Sequence, residues 1–217
     1  MLESRGLTFR YGSTSPPLGF ADVSLDSGNH LLVLGPSGSG KSTLLGLWSG
    51  LLTPTGGEVT VDGVAVGKLP GAERDRWRSR HVGLVFQRPR LLTSQSVRSN
   101  IALQRRLAGL APDAAALQLS LKRLGIEHTA DKLPQHCSLG EQQRAGILRA
   151  LHHAPTLILA DEPTSALDRD NALRVAGLLR EEAERFGASL AVVTHDDRIA
   201  GLFTRKLTLP AHNAVEA

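Results

Sequence analysis

The sequence predicts an α/β protein with a mostly parallel sheet, a small antiparallel β subdomain near the N-terminus and an inserted α-helical subdomain. Three observations carry this. Short apolar runs at 31–34, Val82–Phe86, Leu157–Asp161 and 190–194 alternate with stretches of helical periodicity, as parallel strands joined by crossover helices do. Aromatic residues make up only 4% of a chain that is 41% hydrophobic, so the core is aliphatic, which suits layered α/β packing better than a β-sandwich. Between residues 88 and 154 the apolar residues recur at three- and four-residue spacing and no strand pattern interrupts them.

The elements follow in chain order. Residues 7–11 alternate apolar and polar and are expected as a strand, 12–17 as a loop and 20–25 as a second strand. The buried strand 31–34 leads through a glycine-rich loop into a helix from Ser42 to about Ser49, stopped near Gly50. Residues 54–57 make a turn and 58–63 a strand, and these early strands are expected to form the small antiparallel sheet. Val82–Phe86 is a buried strand ending at Gln87. Val97, Ile101 and Leu107 then share a helix that Gly109 ends, and Pro112 opens another that carries Leu117, Leu121 and Leu124. A third helix runs from Ser138 to about His153, before Pro155. The core resumes with strand Leu157–Asp161, helix 168–186, strand 190–194, a short helix 196–203 and a last strand 206–209. The expectation is one domain, 1–217, in which 1–87 and 155–217 form the core with its β subdomain and 88–154 the helical subdomain.

Composition excludes several classes. Met1 to Arg5 has no apolar run behind it, so no secretory signal is expected, and no apolar stretch approaches the roughly 20 residues that cross a bilayer. The one cysteine, Cys137, rules out an internal disulfide and fits a reducing, cytoplasmic compartment. The net charge of +4 is basic without being extreme. The arginines gather at 74, 76, 78 and 80, then at 88, 90, 98, 105 and 106. That pattern reads first as a solvated face and second as a surface for an acidic partner helix or anionic lipid; nucleic acid is not an expected partner.

The chemistry lies at the strand ends. Gly35, Pro36, Ser37, Gly38, Ser39, Gly40, Lys41, Ser42 and Thr43 follow a strand and open a helix with the spacing G-x-x-x-x-G-K-S. Glycines let the backbone turn its N–H groups onto phosphate oxygens at a helix N-terminus, Lys41 supplies a mobile positive charge, and the Ser42 hydroxyl is placed to ligate Mg²⁺. The stretch therefore reads as a nucleotide phosphate site. Hydrolysis there needs a metal handle and a group to orient water; the run 157–161 delivers Asp161 for the first, and Glu162, held outward by Pro163, for the second. The strand 190–194 ends beside them at His195. Ser138, Leu139, Gly140 and Glu141 form a second helix start, which reads locally as a capping box and functionally as another phosphate-binding helix end.

Together these motifs resemble the ATP-binding cassette (ABC) ATPases, the nucleotide-binding subunits of ABC transporters, over nearly the whole chain. In that resemblance Gly35 to Thr43 is the Walker A loop of a P-loop NTPase core, and 157–162 is Walker B, with Glu162 catalytic. Gln87 is the Q-loop glutamine, shared between metal and catalysis, and His195 is the catalytic switch histidine. Tyr11 is the aromatic residue that stacks on adenine, and 165–168 is the D-loop. The signature usually reads LSGGQ and here reads CSLGE: Ser138 and Gly140 are kept, Cys137 and Leu139 are replacements, and Glu141 brings negative charge towards a γ-phosphate. Residues 73–87 are similar to the branch containing lipoprotein-releasing and macrolide-exporter ATPases and the related cell-division ATPase. The resemblance implies ATP and Mg²⁺ as cofactors, hydrolysis of ATP, and a homodimer that sandwiches ATP. It further implies a separately encoded transmembrane permease, and so a place on the inner face of the cell membrane. A regulatory or scaffolding ATPase that moves no solute is the alternative. No N-K-x-D element for guanine is present, and the chain has no room for a long coiled-coil insertion.

Overall fold

A computed structural model describes residues 1–211; residues 212–217 of the expected core segment 155–217 lie outside the described residues. The chain opens with β1 (Leu2–Phe9), β2 (Leu18–Gly19) and β3 (Val23–Leu25). Then come β4 (His30–Leu34), α1 (Lys41–Trp48), β5 (Gly56–Val61) and β6 (Val64–Ala65). α2 (Gly71–His81) runs directly into β7 (Val82–Phe86). Three helices follow: α3 (Val97–Leu107), α4 (Ala114–Arg123) and α5 (Leu139–Leu151). The chain continues through β8 (Leu157–Asp161), α6 (Arg169–Phe186), β9 (Ser189–Thr194) and β10 (Arg205–Thr208).

Two sheets organise these elements. One is parallel throughout, in the order β10-β4-β9-β8-β7. Its central strands are apolar on both faces because helices cover both, and Leu32, Ile158, Leu159, Ala160, Leu190 and Val192 are fully buried. The other is antiparallel, in the order β2-β1-β5-β6 with β3 also on β1. Helices α3 to α5 build a further core of Val97, Ile101, Leu117, Leu121, Ala145 and Leu148, in which Cys137 is also buried. Burial is the main reason that the Cys137 thiol sits above its ordinary pKa, which leaves it a packed, protonated group.

Several expected bounds change. The first strand starts at Leu2, not residue 7, and stops at Phe9, leaving Tyr11 outside it; the register slips between Arg5 and Thr8, so the ladder spans an irregular stretch that alternation does not reveal. Of the expected strand 20–25 only β3 forms, and β2 lies just before that range. Helix α2 has no counterpart in the expected elements. Trp77 is its only buried residue, so it carries no apolar stripe; its sequence signals are Pro70 before its start, Glu73 in its first turn and basic residues in its last. The short helix after β9 is a 3₁₀ turn, Asp197–Leu202.

Much of the expected solvated arginine face is engaged within the chain. Arg80 donates to the Ala108 carbonyl, Arg78 to the Gly50 carbonyl, and Arg105 to the Ala111 and His152 carbonyls. Arg98 pairs with Asp131 at 3.0 Å, and the Arg90 guanidinium lies over the Phe86 ring. Long side chains that cover apolar surface while donating to loop carbonyls do structural work that composition alone does not show. No helix among the described residues is long and apolar enough to cross a membrane.

Candidate functional site

The parallel sheet presents the carboxyl ends of β4, β8 and β9 side by side, and the loops leaving them meet over one cleft of about 800 Å³. Parallel α/β sheets place ligands at this edge because every strand there leads into a loop and a helix start. The cleft is lined by Pro36, Ser37, Gly38, Gly40, Lys41, Ser42 and Thr43 from the β4–α1 loop. Glu162, Ser165, His195, Gln87 and Tyr11 line it from other segments, together with Ser15, Pro16 and Leu18, which sequence reasoning did not single out.

Gly38 and Gly40 take φ angles of 81° and 85°, a left-handed conformation that strains residues with a Cβ, and the loop between β4 and α1 depends on it. Gly35 is demanded for a different reason: a Cβ there would lie 2.6 Å from Ser39 Oγ and 3.0 Å from the Leu209 carbonyl oxygen. Ser39 is buried, so Gly35 and Ser39 shape the loop from behind and do not line the cleft. The Lys41 ammonium donates to the carbonyls of Gly35 (2.8 Å) and Pro36 (2.9 Å) and lies 3.4 Å from Glu162 Oε1. It thus sits centred over the loop with its charge satisfied by groups that a phosphate can replace.

Ser42 Oγ donates to Asp161 Oδ1 at 3.1 Å, joining the start of α1 to the tip of β8. Burial chiefly raises the Asp161 pKa above the ordinary carboxylate value, against the opposing effects of Ser42 and Lys41. Glu162 follows with φ of +48°, uncommon for a residue with a side chain and sterically costly. Its carboxylate accepts hydrogen bonds from Thr194 Oγ1 (2.7 Å) and the His195 amide (3.3 Å), and lies 3.0 Å from His195 Nδ1. Burial alone would raise the Glu162 pKa; the donors from His195 and Thr194 outweigh it and hold the group below its usual value.

Tyr11 shares a 2.7 Å hydrogen bond with Thr43 Oγ1 and packs edge-on against Phe9, leaving its ring two-thirds exposed at the rim of the cleft. Gln87 Nε2 donates to Ser165 Oγ at 2.8 Å, so β7 is tied to the loop after β8. Ser138, Gly140 and Glu141 are not among the residues lining the cleft. They open α5 as a complete capping box: Ser138 Oγ accepts from the Glu141 amide, while Glu141 Oε2 accepts from the Ser138 amide at 2.6 Å and its hydroxyl at 2.9 Å. With His128 Nε2 2.7 Å from its other oxygen, Glu141 is held at a pKa of about 2, first by the Ser138 amide and then by His128.

A glycine-built anion loop at a helix start, with a lysine at its centre and two acidic strand-tip residues facing it, defines a nucleotide-phosphate-binding α/β protein. Comparison with known proteins makes the class specific. The ABC transporter family matches residues 19–165, and the chain belongs to that family. It is 41% identical over 191 residues to a lipoprotein-releasing system ATP-binding protein, LolD, of Psychrobacter arcticus, covering 87% of this chain and 84% of that protein. It is 37% identical over 222 residues to an uncharacterized ABC transporter ATP-binding protein of Mycobacterium tuberculosis, covering 98% and 89%. Among solved structures it resembles the dimeric post-hydrolysis state of the ATP-binding cassette MJ0796 bound to ADP and Pi, with a TM-score of 0.86 and 30% identity over 98% of this chain and 97% of that one. It also resembles cbiO1 of Clostridium perfringens, part of the transporter complex cbiONQ, with a TM-score of 0.80 and 28% identity over 93% of this chain and 80% of that one.

Proposed function

We infer that this chain is the ATP-binding and ATP-hydrolysing subunit of an ABC transporter, working with a separately encoded membrane permease. The observation that carries the reading is the convergence of Lys41, Ser42, Asp161, Glu162 and His195, from three neighbouring parallel strand ends, on one site. In this reading the glycine loop and Lys41 hold the phosphates of ATP, and the exposed face of Tyr11 stacks on adenine. Glu162, ionised because its donors outweigh its burial, orients or deprotonates the attacking water. His195, with its side chain mostly exposed, exchanges its contact with Glu162 for the γ-phosphate.

The Ser42 hydroxyl and the Asp161 carboxylate supply adjacent hard oxygen donors, the chemistry that Mg²⁺ selects, and the side-chain oxygen of Gln87 can add a third. Among the described residues no group of three or more His, Cys, Asp or Glu side chains forms a metal cage, which fits an ion shared with substrate phosphates. Mg²⁺ bound there would offset phosphate charge; orienting water remains the task of Glu162.

Residues 88–154 serve as the helical arm of the single domain, with Ser138 and Gly140 placed at its working end. Because these residues stand outside the cleft, the nucleotide reaches them through a second copy of the chain, each Lys41 facing the other copy's Ser138 across ATP. Closure on ATP and opening after hydrolysis would drive the permease from the cytoplasmic side of the membrane. A groove of about 550 Å³ between α2 and α3, lined by Leu84, Phe86, Leu103 and Leu107 together with Asp75, Arg76 and Arg149, suits an amphipathic permease helix.

Steady-state ATPase and nucleotide binding test the reading. Glu162→Gln should bind ATP and lose about 99% or more of turnover, while Lys41→Ala should lose both binding and turnover, each charge-assisted phosphate contact contributing about 1.5–3 kcal/mol. Unchanged turnover in either variant would contradict it.

A further inference from the structure

The donors around Glu162 fall into two kinds. Lys41 and the His195 ring lie on the nucleotide side: both line the cleft, and both are drawn to phosphate in the reading above. The Thr194 hydroxyl lies on the protein side. Thr194 is fully buried, its Oγ1 donates to Glu162 Oε2 at 2.7 Å, and the same oxygen accepts the Asp196 amide at 3.0 Å. The Asp196 amide can only donate and the ionised Glu162 carboxylate can only accept, so the hydroxyl proton is directed at Glu162.

Behind Thr194 the arrangement continues. The buried Asp196 carboxylate accepts from Thr164 Oγ1 (2.8 Å) and from both Nε (2.7 Å) and Nη2 (2.8 Å) of Arg198. Arg198 Nη1 then donates to the Leu167 carbonyl at 3.0 Å. A bidentate carboxylate–guanidinium pair has a fixed geometry, so the loop after β9 is fastened to the 164–167 segment, which follows Glu162 in the chain. None of these groups lines the cleft, and none has a part in phosphate binding as described above.

We propose that Thr194 is a positioning residue for ATP hydrolysis, its hydroxyl aiming the Glu162 carboxylate at the attacking water, and that the Asp196–Arg198 pair holds Thr194 in place. The inference rests on the catalytic reading of Glu162. When ATP takes Lys41 and His195 away, the Thr194 hydroxyl and the His195 amide are the donors that stay. They then set the direction of the carboxylate. The charged groups facing Glu162 are Lys41 from α1, Asp161 on β8 and His195 after β9, and Asp196 and Arg198 stand one layer back. Losing one buried donor leaves the carboxylate less ordered.

The test is the steady-state ATPase of the full chain, kcat and KM measured separately, with Thr194→Val and Thr194→Ser. Valine keeps the shape and removes the hydroxyl, so kcat should fall about tenfold while KM for ATP stays within about twofold, because the contact acts on the water and not on the nucleotide. Serine should restore turnover to within about threefold. Thr194→Ala, which introduces no clash, provides the same comparison if valine destabilises β9. Turnover of the valine chain within about twofold of the parent, or equal losses in the serine and valine chains, would overturn the proposal. Glu162→Gln run alongside separates the two failures: an inactive Glu162→Gln with an unaffected Thr194→Val removes only the role of Thr194, whereas an active Glu162→Gln removes both.

Discussion

His153 makes the junction between α5 and β8 acid-sensitive. It is 2% exposed, neither ring nitrogen has a partner at full hydrogen-bond geometry, and the Val82 backbone offers only a weak contact that opposes the effect of burial. Burial, with the positive fields of His152, Arg105 and His81, lowers its pKa from 6.5 to about 4. A base whose folded pKa lies below its unfolded value binds fewer protons when folded, so stability rises with pH across that interval. The contribution is complete above the unfolded value and is lost as pH falls through 6.5 towards about 4. Integrating between those values gives a loss of about 2 kcal/mol by pH 5 and about 3 kcal/mol by pH 4. Against a domain stability on the order of 5–15 kcal/mol, that is a sizeable share. His153→Leu removes the titration and places an apolar group of similar size in the same buried site. Urea unfolding of both chains at neutral pH and at about pH 5 should show the parent losing about 2 kcal/mol more than the variant. Equal losses would refute the reasoning, because the remaining titrating groups are common to both chains.

Two further outcomes follow from the site. Tyr11→Ala should raise KM for ATP several-fold with little change in kcat, since stacking on adenine is nearly the same in the ground and transition states; a pure turnover defect would assign Tyr11 another task. Glu141→Gln keeps an acceptor for the Ser138 amide but removes the charge that a partner-bound γ-phosphate would meet, so α5 should lose only about 0.5 kcal/mol of capping while ATP-driven closure shifts to lower ATP concentration. A shift to higher ATP would show that the carboxylate assists closure.

What the sequence disclosed, and what it hid, divides along physical lines. The phosphate loop was legible because its chemistry is local: Gly38 and Gly40 must adopt left-handed angles next to Lys41 and Ser42, and nine consecutive residues carry the whole device. Strands β4, β7, β8 and β9 were legible because a strand covered on both faces is a continuous apolar run. Helix α2 was not, since a helix that buries little beyond Trp77 has no period to detect. The arginines of α2 and α3 read as a solvated face because their acceptors, such as the Ala108 and Gly50 carbonyls, are backbone atoms distant in sequence. The capping box at Ser138 and Glu141 was visible from its three-residue spacing, but the participation of His128 required the fold. Thr194 and Asp196 flank His195 and were in plain view, yet only their burial and their bonds to Glu162, Thr164 and Arg198 give them roles.

Two copies sharing ATP, with Lys41 of one facing Ser138 of the other, is the arrangement on which transport would depend. Mixing two crippled chains tests it. Lys41→Ala and Ser138→Arg are each combined with Glu162→Gln so that bound ATP is not consumed. Either chain alone carries the same defect at both sites of its homodimer and should remain monomeric with ATP. In the mixed dimer one site collects both defects and the other pairs an intact Lys41 with an intact Ser138. Light scattering with nucleotide counting should therefore show ATP-dependent dimers in the mixture, holding about one ATP per dimer. Two folded chains that stay monomeric when mixed with ATP would contradict the shared-site account.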